Sequence, residues 1–421
     1  MGDTRAKLDR IGILRPLTIR DFKFLWIGTS VSMVGDGIYV VAIAWQVYQL
    51  SNTPTALAAV GIAWWLPQLF LLLGSGVLSD RMDRRHLMIV GDVIRFFAIG
   101  TVGVFSLAGE LTIPRLMGLA VVYGIGQAIF GPAFSSIVPS IVPPDLLVEA
   151  NSLGQFVRPF AMTLVGPFAG GLLVGGLGLG WAFLADGLSF GVSALMIRLM
   201  RTRPAERDPD DRTSLWSDTK EGVRYVRGNT WLWAAMVGAF VSLLCTWGPW
   251  ETLVPFIVKN ALHGSAIDLG LVFGAGGVGA VLAAAIMGQR AALPRRAITF
   301  LYIAWAFGML MTTFFGVVTA VWQAMIVGFF AEGAITLLIV VWITLLQQLV
   351  PPELLGRVSS LDWMISTGGV PLSFAIVGPL AGVIGARATL VWAGLLGAGV
   401  TIAFLFIPGA RDPERDGTLL R

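Results

Sequence analysis

The sequence predicts an all-α membrane protein of twelve transmembrane helices, built as two six-helix bundles related by a parallel pseudo-repeat. Three observations predict it. Of the 421 residues, 56% are hydrophobic and only 13% are charged, about half the roughly 25% charge of a soluble domain. The charges crowd into short segments, and each apolar run between them is near the roughly 20 residues a helix needs to cross the hydrocarbon core. Short blocks of the first half also return in the second.

The apolar runs fall at 24–48, 56–79, 87–108, 114–136, 149–174, 181–200, 231–257, 268–289, 297–317, 320–347, 359–384 and 388–408. Each reads as a helix, because a segment in lipid has to satisfy its own backbone. A β-barrel would show shorter, alternating segments. The organisation is therefore a basic N-terminal segment 1–23, a bundle 24–200, a polar linker 201–229, a second bundle 230–408 and a tail 409–421. No apolar core with a small-residue cleavage site precedes the first span, so no cleaved signal peptide is expected. Part of the first segment, Ile11 to Phe22, is suited to lie along the membrane surface. Leu215 to Tyr225 spaces apolar residues among charges, as an interfacial helix does.

Basic loop residues set the orientation. Arg5, Lys7, Arg10, Arg15, Arg20 and Lys23 precede span one. On the same side fall Arg81, Arg84 and Arg85, the linker arginines with Lys220, Arg290, Arg295, Arg296, Arg357, and Arg411, Arg415 and Arg421. Arg115, Lys259 and Arg387 are the exceptions, and Arg95 and Arg158 lie within spans. Both termini are thus expected in the cytoplasm of a multi-pass cell-membrane protein.

Other classes are disfavoured. The net charge of +4 resides in loops between apolar helices, which is an orientation signal and not a nucleic-acid footprint. Cys245, the one cysteine, excludes an intramolecular disulfide. His86 and His263 are too scattered for a histidine metal site. There is no Walker loop, Gly-x-Ser-x-Gly or metal-ligand cluster. No enzyme, cofactor, metal or nucleotide-driven pump is expected.

The halves repeat. Pro143-Pro144-Asp145-Leu146-Leu147 returns as Pro351-Pro352-Glu353-Leu354-Leu355, and Gly166-Pro167-Phe168-Ala169-Gly170 as Gly378-Pro379-Leu380-Ala381-Gly382. Each places a proline pair before a span and a Gly-Pro late within it, with the same membrane direction in both halves. Parallel six-span repeats are the pattern of the major facilitator fold, whose substrate binds between the halves near the midplane.

The chain resembles the major facilitator superfamily on further motifs. Gly76-Val77-Leu78-Ser79-Asp80-Arg81-Met82-Asp83-Arg84-Arg85, between spans two and three, is similar to the superfamily's Gly-x-Leu-x-Asp-Arg-x-Gly-Arg-Arg signature, with Asp83 where the second glycine is usual. The second half keeps only Gly288-Gln289-Arg290 and Pro294-Arg295-Arg296. A carboxylate at Asp80 suits a neighbouring helix N-terminus, and span eleven begins on the same side. The resemblance implies a latch formed by Gly76, Asp80, Arg81, Arg84 and Arg85 that stabilises an outward-facing state. Gly166-Pro167-Phe168-Ala169-Gly170-Gly171 resembles the end of the exporters' Gly-Pro-x-x-Gly-Gly motif, without its upstream glycines at Leu153 and Met162. Proline permits a bend and glycines permit close helix approach. Gln127 lies where proton-coupled members often carry an arginine on span four. Phe24-Leu25-Trp26, Gly35-Asp36-Gly37, Phe130-Gly131-Pro132-Ala133 and Glu221-Gly222-Val223-Arg224-Tyr225-Val226 look like the branch of enterobactin exporters and macrolide-efflux proteins.

Ionisable residues inside spans are functional candidates by default. Asp36, flanked by Gly35 and Gly37, is near the middle of span one at about 1.5 Å per residue. It is suited to carry a proton or to pair with a cationic substrate. Arg158 on span five is a partner for a carboxylate of substrate or of Asp36, or a snorkelling structural residue. Glu332 on span ten is a second binding or coupling candidate. Asp92 and Arg95 share a helix face and read as a structural pair. Asp186 and Glu251 read as structural, or as parts of an outer gate. Among the 15 tryptophans, Trp181 and Trp231 fit an interfacial belt. Trp247, Trp250 and Trp342 are deeper and are candidates to line a cavity for an aromatic substrate.

The resulting expectation is a monomeric, proton-coupled exporter of amphipathic small molecules, embedded in membrane lipid and working by alternating access. A lysolipid transporter without proton coupling is the alternative, and a non-transporting membrane sensor is a third reading.

Overall fold

The computed structural model describes residues 12–81, 83–143, 146–201, 215–289 and 293–415. Twelve spans are present among them, all long and apolar enough to cross a membrane. In the first half these are α1 (Arg20–Leu50), α2 (Pro54–Arg81), α3 (Arg84–Leu107), α4 (Ile113–Ile141), α5 and α6 (Leu179–Arg198). Helix α5 has three parts: α-helical Leu147–Arg158, π-helical Pro159–Val165 and α-helical Gly166–Gly176. A linker helix, Leu215–Gly228, follows. The second half holds α7 (Thr230–Phe256, continued by a π segment Ile257–Ala261), α8 (Ala266–Gly288), α9 (Ala297–Phe315) and α10 (Val321–Leu349). Helix α11 is broken at Gly369 into Pro352–Gly368 and Val370–Ile384, and α12 is Ala386–Leu405.

Local chemistry marks the starts of α3, α6 and α12. Asp83 caps α3 by accepting from the Arg85 N–H at 3.0 Å, which satisfies one of the orphan donors of a helix start. This gives a local reason for an aspartate where the superfamily signature has glycine. Gly178 (φ 98°) and Gly385 (φ 86°) make the tight turns into α6 and α12, a left-handed conformation that favours glycine.

The internal repeat extends to packing. In the first half α3 packs on α4 and α6, and α1 packs on α5 and α6. In the second, α9 packs on α10 and α12, and α7 packs on α11 and α12. The same pairings recur six spans later. With lipid as apolar as the side chains, such contacts are held by close packing. Large apolar side chains therefore also point outward, as at Phe97 (64% exposed) and Val383 (84%).

The chain forms two compact units. The first is Met1–Glu206 with Gly264–Gly274, and the second is Arg207–His263 with Ala275–Arg421. In the first unit, a 3-10 turn at Gly12–Thr18 precedes α1. Its Leu14 and Leu17 pack on Val142, Ala150 and Leu153, so this stretch, expected along the membrane surface, is seated on the start of α5. The Arg201 N–H donates to the Asp21 carboxylate at 3.1 Å, tying the exit of α6 to the entry of α1. In the second unit, the linker helix docks on the bundle. Tyr225 Oη donates to the Leu349 carbonyl at 3.1 Å, and Glu221 pairs with Arg357. Burial pushes the Tyr225 phenol up from its ordinary value.

Candidate functional site

The first unit concentrates polar groups between α1, α3, α4 and α6. Tyr123 Oη on α4 donates to Asp36 Oδ1 on α1 at 2.7 Å. The Tyr123 ring packs at tilted angles among aromatics, with Tyr39 at 5.3 Å, Phe190 at 5.9 Å and Trp64 at 6.0 Å between centroids. That cage fixes the hydroxyl toward the carboxylate. Asp36 itself is half-buried.

Next to it lies a buried cation. Arg95 on α3 is 2% exposed. Its guanidinium pairs with Asp92 one turn earlier, the expected i, i+3 pair. It also donates to Gln127 Oε1 on α4 at 2.8 Å, and is held between the faces of Phe130 (4.3 Å) and Phe190 (4.4 Å). Cation–π contacts strengthen where water is excluded. Span four thus presents Gln127, and a cation from span three reaches it. On α6, Asp186 is fully buried, and the hydroxyl of Ser189 donates to the Asp186 backbone carbonyl at 2.7 Å.

The glycines around Asp36 are contact points. A Cβ on Gly35 would lie 2.2 Å from Ser189 Oγ and 2.5 Å from Asp186 Oδ1. A Cβ on Gly37 would lie 2.7 Å from the Gly166 Cα, and one on Gly166 would lie 2.6 Å from the Gly37 Cα. Gly170 rests on Ile38, and Gly171 meets Ala266 and Gly270 of α8 within the same unit. The Gly166-Pro167-x-x-Gly170-Gly171 motif is therefore a double packing surface, one edge against α1 and the other against the start of α8. Pro167 lacks an N–H, and the preceding turns widen to a π-helix in which Gly166 N–H reaches the Ala161 carbonyl. Such π segments concentrate at functional sites.

Other candidates lie apart from this cluster. Arg158 lies at the end of the first part of α5; it makes no ion pair with Asp36, although its charge is in electrostatic reach of that carboxyl. Gly76, Asp80 and Arg81 have side chains outside the described residues. Arg84 donates to the Ser136 carbonyl at 2.9 Å, and Arg85 donates to the Ile197 and Arg198 carbonyls at 3.1 Å and 2.5 Å. Both therefore bind carbonyls toward the C-terminal ends of α4 and α6, where the helix dipole favours a cation. They knit the first unit together.

In the second unit, Glu332 on α10 packs over Gly276, where a Cβ would lie 2.8 Å from Glu332 Cγ. Glu251 on α7 is in electrostatic reach of it. Trp342 Nε1 donates to Asp362 Oδ2 on α11 at 2.9 Å, and its ring sits edge-on to Trp231 at 6.1 Å. Trp231 is 7% exposed and belongs to the core of this unit, so the interfacial role expected of it does not hold. Trp181 is exposed. Trp250 packs edge-on against buried Phe315 at 5.1 Å, and Trp247 is half-buried.

Tyr123, Tyr39 and Asp362 were missed as site residues. Tyr123 is 87 positions from Asp36, and only the fold joins them. A tyrosine inside an apolar run, whose hydroxyl has to find a partner when buried, was the one available signal.

Twelve apolar spans, the repeated packing and a membrane-buried charge cluster define a major facilitator transporter. A family model described as "transmembrane secretion effector" matches residues 11–414. The chain belongs to this family of the major facilitator superfamily. It is similar to macrolide efflux protein A of Streptococcus pyogenes, 22% identical over 385 residues, covering 89% of this chain and 93% of that protein. It is also similar to the multidrug efflux pump Tap of Mycolicibacterium fortuitum, 27% identical over 397 residues, covering 90% and 93%. Among solved structures, a bacterial homologue of the human lysosomal transporter Spinster, inward-facing and unoccupied, superposes with a TM-score of 0.67 at 16% identity, over 95% of this chain and 97% of that one. That likeness is one of fold.

Proposed function

We propose that this transporter is a proton-coupled exporter of amphipathic small molecules of the drug, macrolide or siderophore-like kind, with both termini cytoplasmic. The observation that carries the proposal is the half-buried Asp36 carboxyl in the middle of α1, bonded to Tyr123 and flanked by two glycines in contact with α5 and α6. A carboxyl there gains or loses a proton beside helices packed closely enough to sense the change. The similarity to a macrolide efflux protein and a multidrug efflux pump supports the direction and the substrate class. The excess of arginine and lysine in one set of loops supports the orientation. Asp80 at the end of α2 is proposed as the carboxylate of the outward-state latch. Glu332, with Glu251 near it, is proposed as a binding group for cationic substrates in the second half.

The test uses purified protein in proteoliposomes with an imposed pH gradient and a panel of macrolides and cationic dyes. Asp36→Asn is expected to abolish gradient-driven transport while leaving folded protein in the membrane. Full gradient-driven transport by that variant would overturn proton carriage by Asp36. Transport of lysolipid that ignores the gradient would favour the lipid reading instead.

A further inference from the structure

Asp186 is enclosed in the first unit at 0% exposure. Neither of its carboxyl oxygens has a hydrogen-bond partner among the described residues. Oδ1 lies against Gly35, the residue before Asp36. The charged and titratable groups within electrostatic reach of it are Asp36 and Tyr39 from α1, Arg95 from α3 and Tyr123 from α4. These groups comprise one carboxyl, two phenols and one guanidinium. Asp36 has the Tyr123 hydroxyl. The Arg95 charge reaches Asp186 and the Ser189 hydroxyl lies beside it, but Arg95 is paired with Asp92 and Ser189 donates to the Asp186 backbone carbonyl.

An ionised carboxylate so placed loses its hydration without a compensating partner, whereas the neutral acid escapes most of that cost. Two neighbouring carboxyls also disfavour joint ionisation. The carboxyls do not converge in a group of three that would hold a metal among the described residues. A proton is the cation that fits.

We propose that Asp186 holds a resident proton, so that the Asp36–Asp186 pair carries one proton when Asp36 is ionised and two when Asp36 is loaded. The transported proton joins a carboxylate oxygen of Asp36 and leaves from it. The resident proton stays on Asp186, and the pair alternates between one negative charge and none. Tyr123, by donating to Asp36, favours this division of labour. The proposal rests on the reading of Asp36 as the proton carrier, but its test does not require transport.

The test is infrared spectroscopy of the full chain in lipid, with aspartate labelled at the side-chain carboxyl carbon. At neutral pH the wild type is expected to show a protonated-carboxyl C=O band that moves with the label. The band is expected to survive in Asp36→Asn and to be lost in Asp186→Asn. Asp186→Glu, which keeps a carboxyl, should return a band that the aspartate label no longer shifts. This variant decides the matter if Asp186→Asn fails to fold. Absence of the band in Asp36→Asn, or its persistence with the label shift in Asp186→Glu, overturns the proposal. Loss of the Asp36 transport role with the Asp186 band intact would overturn only the earlier reading.

Discussion

The Arg95 guanidinium on α3 donates to the Gln127 side-chain oxygen on α4 at 2.8 Å. One contact thus connects a buried ion pair to the helix that carries Tyr123, and through Tyr123 to Asp36. The charge cluster of the first unit is a single connected structure, and its parts can be tested separately.

Arg95→Gln removes the cation beside Asp92, which is 0% exposed. Breaking a buried pair on one side costs about 3–5 kcal/mol. The variant is expected to lose stability on that scale in thermal unfolding in detergent. Adding Asp92→Asn should recover most of the loss, because the stranded charge is gone. A double variant no more stable than Arg95→Gln would contradict the pairing.

Tyr123→Phe deletes a donor and keeps the ring. Its stability cost should stay near about 1 kcal/mol. The Asp36 carboxyl remains but loses the hydrogen bond that orients it, so gradient-driven transport is expected to persist at a reduced rate. A rate equal to the wild type would remove the hydroxyl from its assigned role.

Gly37→Ala and Gly166→Ala each place a methyl within 2.7 Å of backbone across the α1–α5 contact. Overpacking of this kind costs about 1–3 kcal/mol, and both variants should lose stability and transport together. Gly176→Ala has nothing within 4 Å and should match the wild type in both. Equal behaviour of all three would separate the motif from packing.

Arg85→Ala loses bonds to the Ile197 and Arg198 carbonyls. Bonds to charged groups contribute about 1.5–3 kcal/mol, and the partial exposure of this residue puts the expected loss near the lower end. Arg85→Lys should not restore it, because a point charge does not reproduce the two-carbonyl geometry of a guanidinium. By contrast, Glu221→Ala breaks an exposed pair with Arg357 and should change stability by no more than about 1 kcal/mol. Thermal unfolding of the variants side by side checks the ordering.

Much of the architecture was legible from charge and hydropathy alone, because lipid permits few alternatives to a helix. The Asp92–Arg95 pair was legible for the same local reason, since its spacing dictates a shared face. The partners of Asp36 were not. Arg158 was one candidate partner for a carboxylate of substrate or of Asp36; its charge reaches Asp36, but the hydrogen bond to Asp36 comes from a tyrosine on α4. Nothing local to Asp186 announced that α6 would bring it against Gly35. Trp231 read as interfacial because it starts a span, yet the linker helix and α10 enclose it. Long-range packing decides such cases, and hydropathy does not encode it.

The π-helical stretch Pro159–Val165 acts on α5 as one surplus tooth acts on a screw thread. Each residue of an α-helix advances its azimuth by about 100°, so a single surplus residue sets the phase of everything beyond it. The glycines that meet Gly37 and those that meet Gly270 lie downstream of that point. Removing one residue from the stretch would turn both contact edges away from their partners while leaving the composition of the motif untouched. The length of this short segment, more than its chemistry, determines which neighbours the motif addresses.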